Sequence, residues 1–428
     1  MRLHPFLLRS LPLLVRLFKT YILLVLAAFM AVFAVHHISH EGIEENVRRS
    51  LATIQDEGVY PRLLGCELLR IDNFTDALML NMAYCADSDK PLDAALTNTF
   101  FTDDDMDVFS RTAELVRGDT LQGFLLPYPR YWHGHQVVLR PLLVVMDYTT
   151  LLFVNKFLFY FLLLLCLYVV YRRLSLLVAV AMLGALLLVG LPAIPMCIQF
   201  STTFYIAMLS VLAVLLWPGL TRERGDAYIT FFTIGALTAF FDFLTTPQVT
   251  LGFPLVVCLL LRKPWRTVRD VVLFLLSWFS GYASLWVSKC LLAQLLTTHD
   301  VIGNFLQLVR VRTIAGTGTL VPFLSDRWGE ERAFQLISLL CVLIALFLLL
   351  VIYAWHRLSR NPQVRRQRWL LVIALIPPVS YVLTLQHAVI HYWFVWRALS
   401  VTFLCVFLFA YFITHSSHEQ DRRTHSLL

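Results

Sequence analysis

Charged residues are scarce in this chain of 428 residues. Asp, Glu, Lys and Arg together make up 15% of it, whereas apolar and aromatic residues make up 58%. Soluble domains carry about a quarter charged residues, so the composition excludes an ordinary soluble enzyme and a disordered protein. The formal net charge is +7. In a chain this apolar, the basic excess indicates loops on the cytoplasmic side of a membrane and no nucleic-acid partner.

The chain also lacks internal repeats, Gly/Ser-rich linkers and the paired CxxC or HExxH patterns of metal sites. No cofactor is expected. The aspartates of 87–89 and the acidic run 103–107 resemble a cation-binding DxD pattern, but a helix start explains the second run better. Cys66 and Cys85 are expected outside the cytoplasm, where they either form a disulfide or remain free.

Ten apolar stretches are long enough, or nearly so, to cross a bilayer, which takes about 20 residues of helix. They span 18–36, 149–171, 174–191, 198–217, 227–243, 247–261, 271–292, 333–354, 369–385 and 394–414. The sequence therefore predicts an all-α polytopic membrane protein. Its expected segments are a cytoplasmic start with the first span (1–36), a long outer loop (37–148), spans two to seven (149–292), a second outer loop (293–332), the last three spans (333–414) and a tail (415–428).

Basic residues predict which ends of these spans face the cytoplasm. With the N-terminus inside, 19 of the 35 Lys and Arg residues fall in short inside segments, as the positive-inside rule requires. Both termini are then cytoplasmic, and we expect a bacterial inner-membrane protein. The loop 37–148 lies outside and carries 18 of the 28 acidic residues.

The loop 37–148 begins with an amphipathic pattern. Apolar residues recur every three or four positions from Ile43 to Ile54, which predicts a helix with one apolar face over 41–54. We expect this helix to lie on the outer membrane surface. The alternative is a helix whose apolar face packs within the loop domain. A second helix is predicted over 103–117.

Polar residues gather where the spans meet the outer face. Asp72 and Asp76 are four residues apart, share one face if the segment is helical, and precede apolar residues. A carboxylate held near hydrocarbon has a raised pKa, which suits a general base. A helix cap or a solvated loop position is the alternative explanation of either aspartate.

Other outer clusters combine histidine, arginine and aromatic residues that are candidates for substrate binding. The candidates are Trp132, His133, His135, Arg140, Asp242, Arg312, His387, His391 and Arg397. An arginine beside an apolar run needs an anionic partner, and guanidinium groups match phosphate oxygens. For Arg140 that partner is either a phosphate or Asp147. Asp242 ends an apolar helix, where an ionisable residue is a functional-site candidate.

The chain resembles the GT-C superfamily of glycosyltransferases in architecture over most of its length. The resemblance is carried by Glu41–Ile54, Asp72–Asp76 and Tyr131–His135. Members have many spanning helices, a cytoplasmic start and a long first outer loop that holds a catalytic Asp or Glu. The resemblance implies inverting transfer of a sugar from a polyprenyl-phosphate donor to a glycan, lipid or protein acceptor on the outer face of the bilayer.

The resemblance also implies roles for individual residues. Asp72 or Asp76 would deprotonate the acceptor hydroxyl. Arg140, Arg397 or Arg312 would hold the donor phosphate, which leaves already anionic and so depends on positive charge.

A transporter or lipid-linked-glycan flippase is the alternative function. Such proteins place polar groups near the bilayer midplane. Here the mid-span positions are mostly apolar, with Lys156 and Lys289 as the exceptions. Because the polar groups concentrate at the outer ends of the spans, the sequence favours the enzyme.

Overall fold

The computed structural model describes residues 5–104, 108–118, 123–312, 353, 365 and 367–425. Within these residues the chain is almost entirely helical. The helices are α1 (Pro5–Val35), α2 (Glu44–Glu57), α3 (Asn73–Cys85), α4 (Pro91–Thr97), α5 (Val108–Arg117), α6 (Gln136–Leu143), α7 (Tyr148–Arg173), α8 (Leu176–Leu188), α9 (Ile198–Leu216), α10 (Arg224–Phe241), α11 (Gln248–Leu261), α12 (Val268–Leu296), α13 (Val301–Arg312), α14 (Arg368–Ala374), α15 (Ile376–Leu383), α16 (Leu385–Ile390), α17 (Tyr392–Val395) and α18 (Leu399–His425).

Five helical stretches of the described residues are long and apolar enough to cross a membrane. They are Leu11–Val35, Tyr148–Arg173, Ile198–Leu216, Val268–Leu296 and Tyr392–Thr414. The structure thus supports a membrane protein, but ten spans are not confirmed. Three predicted spans form shorter apolar helices, namely α8, α11 and the pair α14–α15. The predicted span 227–243 is α10, which is not among the five, and 333–354 lies outside the described residues apart from Tyr353.

The outward surface of α7 has the character expected beside hydrocarbon. Phe153, Phe157 and Phe161 recur every four residues and are exposed, whereas Phe159 and Leu163 on the other face are buried. A row of exposed phenylalanines would be unfavourable in water because it exposes a large apolar patch. The pattern therefore favours lipid as the neighbour of this face.

Helices α10 and α12 cross in close contact through two glycines. A Cβ atom at Gly235 would lie 1.9 Å from the Trp278 carbonyl oxygen, and one at Gly281 would lie 1.9 Å from the Phe232 carbonyl oxygen. Small residues at helix crossings are typical of membrane helix pairs, since packing replaces the hydrophobic effect there. This contact places α10 within the helical bundle.

The bundle has two chemically different ends. One, the basic end, gathers residues predicted to be cytoplasmic, and two ion pairs join them: Arg16 to Asp226 (2.7 Å) and Arg224 to Asp270 (2.9 Å). At the opposite end, the site end, α1 finishes and the predicted outer clusters lie. From α7 to α12, successive helices run alternately between these ends, so basic residues and candidate site residues are segregated in this part of the fold.

The apolar face of the predicted 41–54 helix is covered by other parts of the protein. In α2, Ile43, Val47, Leu51 and Ile54 are buried against residues of α3, α6 and α7. The periodicity identified the apolar face correctly. It could not identify what covers that face, because a protein core and a bilayer select the same residues.

The described residues are largely helical, as the sequence predicts, and the outer loop adds two short strands. Phe100–Thr102 (β1) pairs antiparallel with Phe124–Leu126 (β2). The Asn81 side chain supports β1, since its Nδ2 donates to the Phe101 carbonyl oxygen and its Oδ1 accepts from the Phe101 N–H, both at 2.8 Å. Of the predicted helix over 103–117, the structure describes Val108–Arg117 as α5. Cys66 and Cys85 are not bonded to each other.

Candidate functional site

Asp72 lies at the start of α3 and is buried. Its Oδ1 accepts from the Thr75 N–H at 3.1 Å and its Oδ2 from the Thr75 hydroxyl at 2.8 Å, so it caps the helix as aspartate commonly does. Burial raises the pKa of Asp72 to about 6, although the Thr75 bonds and the charge of Arg397 oppose the rise. A carboxylate with this pKa can accept a proton near neutral pH.

Asp76 lies one turn further along α3 and holds three elements together. Its carboxylate accepts from the N–H groups of Ile198 (2.9 Å) and Gln199 (3.3 Å), the first residues of α9, and from the Tyr148 hydroxyl. Burial and the neighbouring Asp72 raise the pKa of Asp76, while the two N–H groups oppose the rise. The carboxylate thus accepts from N–H groups at the start of α9 that have no partner within that helix, which indicates a structural role for Asp76. Asp72 is therefore the better candidate for the proton acceptor.

This difference gives a stability prediction for Asp76. Asp76→Asn should lower the free energy of unfolding by about 1–3 kcal/mol, since one amide oxygen cannot replace two carboxylate oxygens and the buried donors lose partners. Asp89→Asn, an exposed change in the same outer loop, is the matched control. Thermal unfolding in detergent of both variants measures the effect. Equal melting temperatures would contradict the structural role.

Arg397 is buried at the site end, beside Asp72. Its Nη1 donates to the Trp393 carbonyl oxygen at 2.7 Å, and its guanidinium carbon lies 4.2 Å from the centre of the Phe200 ring. Its Nε and Nη2 have no hydrogen-bond partner among the described residues. Buried guanidinium N–H groups are costly to leave unpaired, so the site can accept an anionic ligand there.

Aromatic and charged side chains lie beside Asp72 and Arg397. Arg70 lies over the Trp393 ring at 4.9 Å and the Tyr60 ring at 5.6 Å, and it pairs with Glu67. The Tyr392 hydroxyl donates to Glu67 at 2.7 Å. These residues do not stand out in the sequence, because aromatics near a span end also fit an interfacial belt. We call Asp72, Arg397, Arg70, Trp393 and Tyr60 the carboxylate–arginine centre.

Arg140 is not part of this centre. Its Nε donates to the Val35 carbonyl oxygen at 3.0 Å, and its Nη atoms donate to the carbonyl oxygens of Ala83 and Ile38. Arg140 therefore donates to a carbonyl oxygen at the end of α1 that has no partner within that helix, and it links α1 to α3. Asp147, the predicted protein partner of Arg140, instead caps α7 through the Thr150 N–H at 2.8 Å. Burial lowers the pKa of Arg140 to about 10.

The Trp132–His135 segment forms a tight turn against α10. The Gly134 N–H donates to the Phe240 carbonyl oxygen at 2.9 Å, and a Cβ there would lie 2.5 Å from the Phe240 ring. Trp132 is fully buried and donates to the Leu285 carbonyl oxygen at 2.7 Å. Trp132 thus has a packing role, whereas the two histidines contact each other and the Phe243 ring.

His133 and His135 surround Phe243, with ring centres 5.1 and 5.0 Å from it. Their Nδ1 atoms have no partner among the described residues. Burial lowers the pKa of His133 well below its usual value and that of His135 to about 3. Both rings are therefore neutral near pH 7 and can serve as hydrogen-bonding groups for uncharged hydroxyls.

Asp242 and His387 lie on the other side of the same loop. Asp242 Oδ1 accepts from the Thr245 N–H at 2.9 Å, its Oδ2 has no partner in the described part of the chain, and burial raises its pKa to about 6. His387 Nε2 lies 2.9 Å from the Leu244 carbonyl oxygen. We call His133, His135, Asp242 and His387 the histidine centre.

The two centres adjoin through α9 and the start of α17. Thr203 on α9 bonds Thr246 beside the histidine centre at 2.7 Å, and Phe200, one turn earlier, contacts Arg397. His391 stacks on Phe394, with ring centres 5.0 Å apart. The predicted site residues Asp72, Arg397, His133, His135, Asp242, His387 and His391 therefore belong to the two centres or adjoin them, whereas Arg140 and Trp132 have the structural contacts given above. Arg312 ends α13, and its side chain lies outside the part of the chain that the structure describes.

Metal ligation has no support in the described residues. They contain no group of three or more His, Cys, Asp or Glu side chains that could hold an ion. In the first acidic pattern, Asp87 Oδ1 accepts from the Asp89 N–H at 2.9 Å. In the second, Asp103 pairs with Arg111 at 2.7 Å, and residues 105–107 lie outside the described residues.

Comparison with known proteins adds no family to this geometry. No protein-family model, curated protein or solved structure matches the chain.

Proposed function

We propose that the protein is an integral-membrane glycosyltransferase of the GT-C kind, which transfers a sugar from a polyprenyl-phosphate donor to a hydroxyl acceptor at the site end. The observation that carries the proposal is Arg397, whose Nε and Nη2 lack partners beside the buried Asp72. A phosphate would satisfy both N–H groups at once, since a guanidinium fork matches two phosphate oxygens.

In this scheme each group has one chemical task. The acceptor hydroxyl oxygen attacks the anomeric carbon of the sugar, and its proton passes to Asp72. The bond from that carbon to the phosphate oxygen breaks, and the electron pair stays on the phosphate held by Arg397. Trp393 and Tyr60 offer aromatic faces for the sugar, and the neutral His133 and His135 offer hydrogen bonds to acceptor hydroxyls.

The transporter alternative has less support. It needs polar groups free to bind cargo within the spans. Lys289, the buried cation of α12, instead donates to the carbonyl oxygens of Ala95 (2.8 Å) and Leu96 (2.9 Å). These carbonyls lie in the last turn of α4, where the ammonium group supplies the hydrogen-bond donors that the helix itself lacks.

Donor consumption tests the proposed function. Purified protein is incubated with a panel of polyprenyl-phosphate sugars and hydroxyl acceptors, and release of polyprenyl phosphate is measured. We expect release from at least one donor, with the configuration at the anomeric carbon inverted. Movement of an intact lipid-linked glycan across vesicle membranes without sugar release would instead favour the flippase.

The proposal requires the site end to face outward, with the basic end in the cytoplasm. Cys66 is exposed in the outer loop and provides a natural label. In intact cells we expect an impermeant thiol reagent to label wild-type protein and to lose that labelling in Cys66→Ser. In the Cys66→Ser background, Ser417→Cys should react only after permeabilisation. The reverse pattern would contradict the orientation.

A further inference from the structure

Polar atoms without hydrogen-bond partners gather near Phe243 in the histidine centre. They are the Nδ1 atoms of His133 and His135, the Oε1 of Gln136, the Oδ2 of Asp242 and the hydroxyl of Thr245. None of them has a partner in the described part of the chain, and each of the five residues is at most 3% exposed. Buried polar atoms are normally paired, so this group indicates a ligand or ordered water at the centre.

The contacts of the two histidine rings determine which nitrogen carries the proton in each. His133 Nε2 lies 2.8 Å from the Tyr128 carbonyl oxygen, which can only accept, so Nε2 is protonated and Nδ1 is an acceptor. The Gln136 amide nitrogen donates to the Met79 carbonyl oxygen at 2.9 Å and lies 3.1 Å from His135 Nε2. His135 Nε2 therefore accepts, and the proton of this neutral ring is on Nδ1, which is a donor.

The histidine centre thus offers both donors and acceptors to a ligand. His135 Nδ1 donates, whereas His133 Nδ1 and Gln136 Oε1 accept. The Asp242 carboxylate also accepts, and the Thr245 hydroxyl can do either. A carboxylate or phosphodiester anion has no hydrogen to donate and is repelled by Asp242, while an ammonium group leaves the His135 N–H without an acceptor. Hydroxyl groups both donate and accept, and several of them are needed to pair this set.

The backbone of both loops at this centre is held in an unusual conformation. His133 and Leu244 have φ values of 54° and 64°, in the left-handed region that side chains larger than glycine rarely adopt. Contacts hold both loops in place, since the Gly134 N–H donates to the Phe240 carbonyl oxygen and His387 Nε2 lies 2.9 Å from the Leu244 carbonyl oxygen. Residues kept in this region cluster at binding and catalytic sites.

We propose that the histidine centre binds a sugar ring of the acceptor through several of its hydroxyl groups, so that the acceptor is a glycan. The inference rests on the proposed function and narrows the acceptor to one chemical class. One hydroxyl is expected to accept from His135 Nδ1, and others to donate to His133 Nδ1 and to Asp242. The half-buried Phe243 ring gives an apolar surface for the C–H groups of the sugar. A serine or threonine of a protein acceptor has one hydroxyl and leaves most of the set unpaired.

The test measures sugar binding without any donor, so its result does not depend on transfer. Purified full-length protein, in a detergent without sugar headgroups, is titrated with lactose, cellobiose and maltose, and with N-acetylserinamide as a probe that has one hydroxyl. His135→Phe keeps a ring but removes the Nδ1 donor, and His135→Asn places an amide N–H near the position of Nδ1. The matched control is His37→Phe, which changes an exposed histidine just after α1.

We expect saturable binding of at least one disaccharide. Its affinity should fall about tenfold in His135→Phe, return in large part in His135→Asn and stay unchanged in His37→Phe. If His135→Phe does not fold, Asp242→Asn carries the same comparison with the same expected loss, because asparagine can still accept from the Thr245 N–H.

Three results would overturn the glycan site: no saturable binding of any disaccharide, binding of N-acetylserinamide that is equally tight, or an equal loss in His37→Phe. The proposed transfer reaction fails separately. Disaccharide binding that follows the expected pattern, without release of polyprenyl phosphate from any donor, would contradict the transferase and support the sugar site.

Discussion

Asp72→Asn is expected to lower sugar transfer by about 10²- to 10⁴-fold, the usual cost of losing a general base. The change keeps the size of the side chain, and asparagine also caps helices well. Ionised Asp72 is buried in the folded protein, so a neutral side chain should fold at least as well. Turnover and melting temperature measured on the same preparation separate a catalytic loss from a folding loss.

The pH dependence follows from the raised pKa of Asp72. Below about pH 6 the carboxyl group is protonated and cannot accept a proton, so wild-type transfer should fall as the pH drops through that value. The folded-state pKa exceeds the unfolded value near 3.9. Asp72 therefore lowers stability as the pH rises from about 4 to about 6, and Asp72→Asn should remove that loss. Near-normal turnover in Asp72→Asn would contradict the assignment and direct the search to Asp242, Glu41 or Asp56.

Arg397→Lys is expected to weaken donor binding by at least about tenfold although it conserves the charge. A lysine ammonium cannot reproduce two parallel N–H contacts with a phosphate, and hydrogen bonds to charged groups contribute about 1.5–3 kcal/mol each. The affinity for polyprenyl phosphate, measured by titration of the purified variant, gives the effect directly.

Arg140→Lys is the control for this experiment. Its guanidinium bonds three backbone carbonyls and no ligand-facing group, so the variant should lose thermal stability while keeping donor affinity. An unchanged affinity in Arg397→Lys, or a loss in Arg140→Lys that equals it at matched stability, would contradict the phosphate assignment.

The sequence predicted the bundle better than its site. Apolar runs located the long helices, and Lys and Arg identified which span ends lie together, because both signals are local. Shorter elements were harder to predict from the sequence. The predicted span 369–385 breaks near Pro377, where the missing N–H and fixed φ interrupt a helix, so it appears as α14 and α15. The strands β1 and β2 are three residues each, too short for a recognisable alternation.

The sequence could supply the candidate residues but could not assign a separate role to each of them. Asp72 and Asp76 look equivalent in the sequence, yet Asp76 bonds Ile198, which is 122 residues away, and only the fold brings that donor close. In the sequence, Arg140 is expected to need an anionic partner such as a phosphate. Its actual partners are backbone carbonyls, and these cannot be recognised from the sequence because every residue has one. Trp393 and Phe200 became part of the site only once their contacts with Arg70 and Arg397 were known.

A structure of the protein with bound polyprenyl phosphate would show directly whether Arg397 binds the donor. We expect the phosphate within hydrogen-bond distance of both Nε and Nη2 of Arg397, with the Asp72 carboxylate beside the position of the sugar. A phosphate bound away from Arg397, or one held instead by Arg140 after its carbonyl bonds have broken, would contradict it.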